Sequence, residues 1–319
     1  MQNNIVYHYC TVETFLGIIR NHTLRLSDLC NSNDKAEMKA LLGDLKDEII
    51  NQYREHEDFL EPVIYGMNID ESFEVILKML ISKMDNNINQ MLFGICFSEE
   101  GDLLEQWREY ADKGTGVAIG FDIEWFQKLC NNDMFKFSQV DYEYSEESKL
   151  IKEYATKIYS EIIQTVIKGK TKEFIDESSD IPYMIQLQKE SLFYEFIFQK
   201  DNEYKSEKEW RLILNDEETR KNYPEWDIYY NWKNNNFKFC EKEIYRLIPN
   251  GMEFVVKSGK IVPYLDLKFD FDKNNLPIKK VVIGPNCKVN NLDIYHLLQF
   301  YGFAGDEIKI IKSKSSYRI

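Results

Sequence analysis

Two carboxylates stand two residues apart directly before a hydrophobic run, since Glu207-Lys-Glu209 precedes Trp-Arg-Leu-Ile-Leu214. Side chains at positions i and i+2 of a strand point to the same side, so this spacing directs both carboxylates toward one ligand. One would orient a ribose hydroxyl, and the other would polarise an attacking group or stabilise an oxocarbenium-like centre. The alternatives are a solvated acidic strand start and an ion pair between a glutamate and Arg211.

A histidine between two tyrosines is the second candidate, Tyr7-His8-Tyr9. In a short strand, His8 would donate a hydrogen bond to a ligand hydroxyl, and Tyr7 or Tyr9 would offer a stacking face. The alternative is a half-buried core histidine whose hydrogen bonds are satisfied within the protein.

A third group combines Ser98, at the end of an apolar strand, with Trp107 and Tyr110 on one face of the next helix. A hydroxyl at a strand end could face a cleft, whereas aromatic side chains at helical spacing are also typical of a core. Lys200 and Arg211 would neutralise a phosphate-bearing ligand, unless each pairs with a neighbouring carboxylate.

The elements that must position these residues follow from hydrophobic periodicity. Helices are predicted over 12–20, 35–61, 71–89, 146–176, 184–198 and 291–300, and two shorter ones follow Asp102 and Asp122. The predicted N-caps are Thr11, Asp34, Asp102 and Asp122. Strands are predicted over 5–9, 24–27, 91–98, 117–121, 135–144, 209–214, 236–240, 253–256, 278–283 and 308–311, and a turn over 31–34. Because no linker separates two halves, we expect a single α+β domain over 1–319 with helical insertions at about 35–90 and 146–200.

Composition excludes several classes of protein. The chain has 319 residues, 40 basic and 54 acidic, so its net charge of −14 disfavours a broad nucleic-acid-binding surface. No signal sequence or membrane-spanning run is visible, and the six scattered cysteines form no CxxC pair, which together favour a cytoplasmic protein with free thiols and no metal site. GxxxxGK(S/T), GxGxxG and GxSxG are missing, which removes the common nucleotide-hydrolase, Rossmann and α/β-hydrolase classes.

Four blocks of residues follow one another along the chain: Tyr7-His-Tyr9 with Leu24-Arg-Leu-Ser27, Asn33-Asp34 and Glu37; Cys96-Phe-Ser98 with Trp107, Tyr110 and Gly116 to Phe121; Lys200 with Tyr204, Glu207, Glu209 and Arg211; and Pro263-Tyr264 with Ile283-Gly-Pro285. Together these blocks resemble a bacterial domain-of-unknown-function family, number 2971. The name of this family implies no activity.

More distantly, the Tyr-His-Tyr strand, the helix after it and the Leu-x-Leu-Ser strand resemble the opening of ADP-ribosyltransferase-type folds. That resemblance implies a mixed, mostly antiparallel split-sandwich sheet and NAD as a substrate. It implies that His8 holds the NAD ribose, that Ser98 supports the nicotinamide half, and that Glu209 drives transfer with Glu207 as its helper. The other NAD-binding candidates are Tyr9, Ser27, Trp107, Tyr110, Lys200 and Arg211.

The expected function is therefore an NAD-dependent ADP-ribosyltransferase-like enzyme that modifies a protein or nucleic acid, in a toxin or phage-defence setting that only the resemblance implies. The rival is a non-enzymatic binding or regulatory module that uses the same cleft or the acidic helical insertions to hold a partner. A hydrolase acting on a nucleotide-like ligand is a third option.

Overall fold

The structure is a computed structural model that describes residues 4–29, 34–56, 69–88, 92–144, 149–167, 196–215, 219, 221–223, 243–257, 259–269, 277–303 and 307–317. Contacts between Cα atoms divide the chain into two compact units. The sheet unit comprises Met1–Leu29, Leu92–Val140 and Tyr204–Ile319, and the helical unit comprises Cys30–Met91 and Asp141–Glu203.

Alternating and continuous apolar runs form the strands and short helices of the sheet unit. Its strands are β1 (Ile5–Cys10), β2 (Thr23–Asp28), β3 (Phe93–Ser98), β4 (Val117–Asp122), β5 (Phe135–Gln139), β8 (Glu209–Leu214), β9 (Met252–Lys257), β10 (Lys260–Lys268), β11 (Ile278–Ile283) and β12 (Lys309–Lys312). Its helices are α1 (Val12–Asn21), α4 (Leu104–Glu109), α5 (Ile123–Leu129), α7 (Glu243–Leu247) and α8 (Asn291–Phe300).

These strands form one mixed sheet in the order β12-β11-β4-β1-β3-β2-β10-β9, with β8 pairing with both β3 and β5. The ladder between β11 and β12 is parallel and the others in this sheet are antiparallel. The prediction of an α+β chain with a mixed, mostly antiparallel sheet is therefore confirmed.

The sheet branches at β3. One edge of β3 pairs with β8 from Gly94 to Ser98. The other edge pairs with β1 only at Tyr7↔Ser98 and with β2 only at Ser27↔Gly94 and Asp28↔Phe93. Between these pairs no described strand is hydrogen-bonded to this edge of β3, and β1 and β2 diverge there.

Burial follows the sequence pattern. Leu24 and Leu26 of β2 are fully buried, whereas Arg25 and Ser27 between them are exposed, as alternation predicts. In β4 the residues from Val117 to Phe121 are all buried, which is typical of a central strand covered on both faces.

The predicted helix caps at Thr11 and Asp122 are confirmed, the one at Asp102 is wrong, and the one at Asp34 stays a prediction. Thr11 accepts the Thr14 backbone N–H at 3.1 Å, and Asp122 accepts that of Glu124 at 3.0 Å. Asp102 caps no helix, because α4 begins after Leu103, which makes no side-chain cap.

The carboxylate of Asp102 instead binds the indole of Trp107 in α4 and two groups from residues 313 and 314. It accepts Trp107 Nε1–H at 2.8 Å, the Lys314 backbone N–H at 2.7 Å and the Ser313 hydroxyl. Partners more than 200 residues away in the chain therefore replace the local cap.

The single strand predicted over 135–144 is wrong, because the structure has two strands there, β5 and β6 (Asp141–Tyr144). The chain changes partner between them. Val140 N–H donates to Glu209 O at 2.9 Å, whereas Asp141 N–H donates to Phe198 O at 2.8 Å.

The helical unit contains α2 (Asp34–His56), α3 (Ile69–Ile88), α6 (Lys149–Ile167), β6 and β7 (Gln199–Asp201). Aromatic contacts join the three helices, since the Phe73 ring lies 3.9 Å from that of Tyr53 and 6.4 Å from that of Tyr159. The two segments of the helical unit coincide closely with the two predicted insertions. The organisation of the chain as a single domain stays a prediction.

Some predicted elements lie wholly or mostly outside the described residues: the helix over 184–198, the strand over 236–240, the turn over 31–34, and the ends of the helices at 57–61 and 168–176. Within the ranges described, no helix has the length and apolar character needed to cross a membrane.

Candidate functional site

The strands that carry His8, Ser98 and Glu209 are immediate neighbours, in the order β1-β3-β8. The register aligns Tyr7 with Ser98 and Ser98 with Glu209 in one row across the sheet. Residues more than 90 positions apart in the chain are thus brought side by side by strand pairing.

The register also separates the candidates between two faces of the sheet. Directly paired residues point to the same side, so Ser98, Glu209 and Arg211 share the face of Tyr7. His8 follows Tyr7 and points to the opposite face, where its ring meets the edge of Phe97 at 5.9 Å between centroids. The sheet therefore lies between the histidine and the glutamate.

Glu209 and Arg211 form a buried ion pair, which is one of the alternatives that the sequence left open. Their side chains are 8% and 1% exposed. Arg211 Nε donates to Glu209 Oε1 at 2.8 Å and Nη2 donates to Oε2 at 3.1 Å. This two-pronged geometry fixes the carboxylate, and the permanently charged guanidinium compensates its negative charge.

The hydroxyl of Ser98 connects two backbone segments. It donates to the Glu207 carbonyl at 2.7 Å and accepts the Glu100 N–H at 3.2 Å. Lys208, the residue after Glu207, has a φ of 46°, in the left-handed region, and its carbonyl accepts a hydrogen bond from the Glu99 N–H. Ser98 therefore holds the turn that leads into the Glu207-Lys-Glu209 run, with Glu207 half-buried.

Tyr9 and Trp107 form a fixed aromatic support on the Tyr7 face. The Tyr9 hydroxyl donates to Glu100 O at 2.6 Å and accepts Leu103 N–H at 2.9 Å. Its ring packs edge-on against Trp107, with 4.8 Å between centroids, and Trp107 is fully buried. Burial raises the pKa of Tyr9, so its hydroxyl stays protonated near neutral pH.

His8 is half-buried, and its ring reaches the free stretch of the β3 edge, where Nδ1 lies 3.1 Å from Cys96 O. A carbonyl only accepts, so Nδ1 carries the proton. Burial lowers the pKa of His8, which favours the neutral imidazole. Nε2 is then an acceptor. The sequence predicted that His8 donates a hydrogen bond to a ligand hydroxyl, whereas in this tautomer Nε2 would accept one.

The remaining candidates are dispersed. Ser27 is exposed on β2 opposite Gly94. The side chain of Tyr110, after α4, projects outward and the residue is 53% exposed. Lys200 is buried on β7, in the helical unit.

Sequence reasoning missed the groups that fix Tyr7. Lys280 Nζ donates to the Tyr7 hydroxyl at 3.1 Å. The Tyr7 ring lies against Gly101, where an added Cβ would come within 2.4 Å of the ring, so no larger residue fits without displacement. In the sequence, the glycine after Glu99-Glu100 is a signal that another group packs closely against the backbone there. No residue near Tyr7 in the sequence indicates that Lys280 would be its partner.

Among the described residues, no three His, Cys, Asp or Glu side chains come together as metal ligands. The four described cysteines, Cys10, Cys96, Cys130 and Cys287, are free.

A family model for a protein of unknown function (DUF2971) matches residues 106–212. The matched region contains Trp107, Tyr110, Lys200 and the Glu207-to-Arg211 run, and it supports the resemblance to that family without assigning an activity. No curated protein and no solved structure matches the chain.

Proposed function

We propose that the chain is an NAD-dependent ADP-ribosyltransferase-like enzyme. One observation carries the proposal: the strands bearing His8, Ser98 and Glu209 are neighbours, and the ladder between β1 and β3 is reduced to one residue pair. A sheet that opens beside its central strands is what the split-sandwich resemblance implies.

In the proposed reaction the bond between nicotinamide and ribose breaks, and its electron pair leaves with neutral nicotinamide. Positive charge develops on the ribose, and the Glu209 carboxylate stabilises it. A nucleophile of the target then bonds to the anomeric carbon and releases its proton to a base. Arg211 is a positioning residue here, because its guanidinium orients the carboxylate through two hydrogen bonds.

In this proposal His8 is the ribose anchor, and because it lies on the face opposite Glu209, NAD would have to contact both residues through the opening beside Cys96 on β3. With Nδ1–H bound to Cys96 O, the lone pair of Nε2 would accept a hydrogen bond from a ribose hydroxyl. Ser98 acts through the turn that it holds, since its hydroxyl is bonded to the backbone of Glu207 and Glu100. The target would be a protein or nucleic acid, and the toxin or phage-defence setting rests on resemblance.

Incubation with radiolabelled NAD and cell lysate tests this proposal. We expect label transfer or nicotinamide release by the wild type, and at least about a hundredfold loss in Glu209→Gln, which removes the charge but keeps the shape. Glu105→Gln, an exposed glutamate of α4, is the matched control and should keep full activity.

Because Glu209→Gln also alters a buried ion pair, its thermal unfolding midpoint is measured alongside its activity. Full activity in a folded Glu209→Gln variant would contradict the catalytic role of this carboxylate. Absence of activity in the wild type with any lysate would remove the enzyme proposal.

A non-enzymatic binding module is the second candidate, favoured by the internal bonding of the site. Ser98, Tyr9 and the Glu209–Arg211 pair all direct their polar atoms to other groups of the protein. Such a module would retain a partner from lysate without consuming NAD, and Glu209→Gln would then affect unfolding alone.

A further inference from the structure

A polar pocket of about 480 Å³ lies on the β2-β10-β9 part of the sheet unit, and its lining includes none of the candidate site residues. Strand pairing builds it, because Arg25 is opposite Asp266, Thr23 is opposite Lys268, and Tyr264 is opposite Glu253. All of these side chains lie on one face, while Leu24, Leu265 and Leu267 fill the other face.

The side chains of the pocket are already arranged in a network across three strands. The Tyr264 hydroxyl donates to Glu253 Oε2 at 2.8 Å. The Arg25 guanidinium stacks on the Tyr264 ring at 3.6 Å, and its Nε lies 3.6 Å from Asp266 Oδ1. Side chains held by strands and by each other form a preorganised binding surface.

The chemistry of the lining indicates the ligand class. Two cations, Arg25 and Lys268, are balanced by two carboxylates, Glu253 and Asp266, so a net anion or cation would meet a like charge. Among the nine lining residues, Pro249 alone has no side-chain hydrogen-bonding group, and Asn21 and Asn250 add amides. Such a lining suits a neutral ligand that both donates and accepts several hydrogen bonds.

We propose that this pocket binds a neutral polyhydroxylated ring with vicinal hydroxyls, either a free sugar or the ribose of a nucleoside. One hydroxyl donates to the Asp266 carboxylate and accepts from Arg25, and its neighbour reaches Lys268 or Thr23. A cavity of about 480 Å³ is of the size usual for small-molecule sites.

The carboxyl of Asp266 gives independent support. Burial raises its pKa, although Arg25 acts in the opposite direction. A ligand hydroxyl that donates a hydrogen bond to this carboxylate would stabilise its charged form.

Saturation-transfer NMR of the full chain tests the proposal with methyl β-D-ribofuranoside, methyl α-D-glucopyranoside and methyl 2-deoxy-D-ribofuranoside. The first two probes distinguish a ribose from a hexose, and the third lacks the diol. We expect one diol probe to bind with a dissociation constant of about 1–10 mM and the deoxy probe to bind at least about tenfold more weakly.

Asp266→Asn and Arg25→Met should each weaken the sugar by about tenfold or more, as loss of a buried hydrogen bond would. Glu74→Gln, in α3 with a side chain 68% exposed, is the matched control and should bind normally. Thermal unfolding of every variant separates lost binding from lost structure.

The proposal is overturned if neither diol probe binds, if folded Asp266→Asn and Arg25→Met bind normally, or if acetate or inorganic phosphate binds more tightly than the sugars. It is independent of the proposed enzyme activity, because Glu209→Gln should leave sugar binding unchanged.

Discussion

Two arginine–carboxylate pairs of the sheet unit differ in burial and in the distance between their charged atoms. In the Glu209–Arg211 pair the side chains are 8% and 1% exposed and the closest atoms are 2.8 Å apart. In the Arg25–Asp266 pair the side chains are 46% and 16% exposed and the atoms are 3.6 Å apart. The first pair is closed, meaning buried and joined by two hydrogen bonds, whereas the second is open and leaves polar groups directed at a pocket.

The largest expected effect is at Arg211. Arg211→Met removes the guanidinium that donates two hydrogen bonds to the buried Glu209 carboxylate and compensates its charge. We expect a loss of about 3–5 kcal/mol in the free energy of unfolding, measured in urea.

Arg25→Met is the matched change in the open pair and should cost less than about 1 kcal/mol. Combining Arg211→Met with Glu209→Gln should recover part of the loss, because the charge is removed together with its partner. Equal costs at Arg211 and Arg25 would contradict the distinction between the two pairs.

The next largest effect is expected at Ser98. Ser98→Ala removes the bonds to the Glu207 carbonyl and to the Glu100 N–H at a buried site, which should cost about 1–3 kcal/mol in urea unfolding. Ser27→Ala, on the exposed face of β2, should change stability by no more than about 0.5 kcal/mol.

Burial of His8 should make the free energy of unfolding depend on pH. Burial lowers its pKa in the folded state below its ordinary value of 6.5, so the unfolded chain binds more protons between the two values. Stability should therefore fall as pH decreases below about 6.5, by up to about 1.4 kcal/mol per pH unit from this group.

The variant His8→Gln keeps a donor for Cys96 O but does not titrate, so its unfolding free energy should vary less between pH 7 and pH 5. His296→Gln, an exposed position, serves as the control. Because burial also lowers the pKa of His22, the wild-type slope includes a second group, and the difference between His8→Gln and wild type isolates His8.

A small effect is expected at Tyr264. Tyr264→Phe removes the hydrogen bond to Glu253 but keeps the ring beneath Arg25, which should cost about 0.5–1.5 kcal/mol in urea unfolding. A cost as large as that of Arg211→Met would mean that the pocket network is as closed as the Glu209 pair.

Local sequence patterns predicted most of the elements. Alternation in Leu24-Arg-Leu-Ser27 gave the buried and exposed faces of β2, and hydroxyl or carboxylate caps at Thr11 and Asp122 marked the starts of helices. The possible pairing of Glu209 with Arg211 was also visible, because positions i and i+2 of a strand share a face.

Features that depend on pairing between distant strands could not be read in this way. The placement of His8 and Glu209 on opposite faces of the sheet follows from the Tyr7↔Ser98 and Ser98↔Glu209 register. The partners of Asp102 come from the end of the chain, and the pocket requires β2 to pair with β10, more than 200 residues later. A single sequence contains no local signal for these contacts.

Calorimetric titration of NAD into the full chain tests the proposed enzyme most directly. The proposal predicts saturable binding by the wild type with a dissociation constant below about 1 mM, weakened at least about tenfold in His8→Ala but not in Glu105→Gln. No saturable heat at millimolar NAD would contradict NAD use and would leave the binding module as the function of this site.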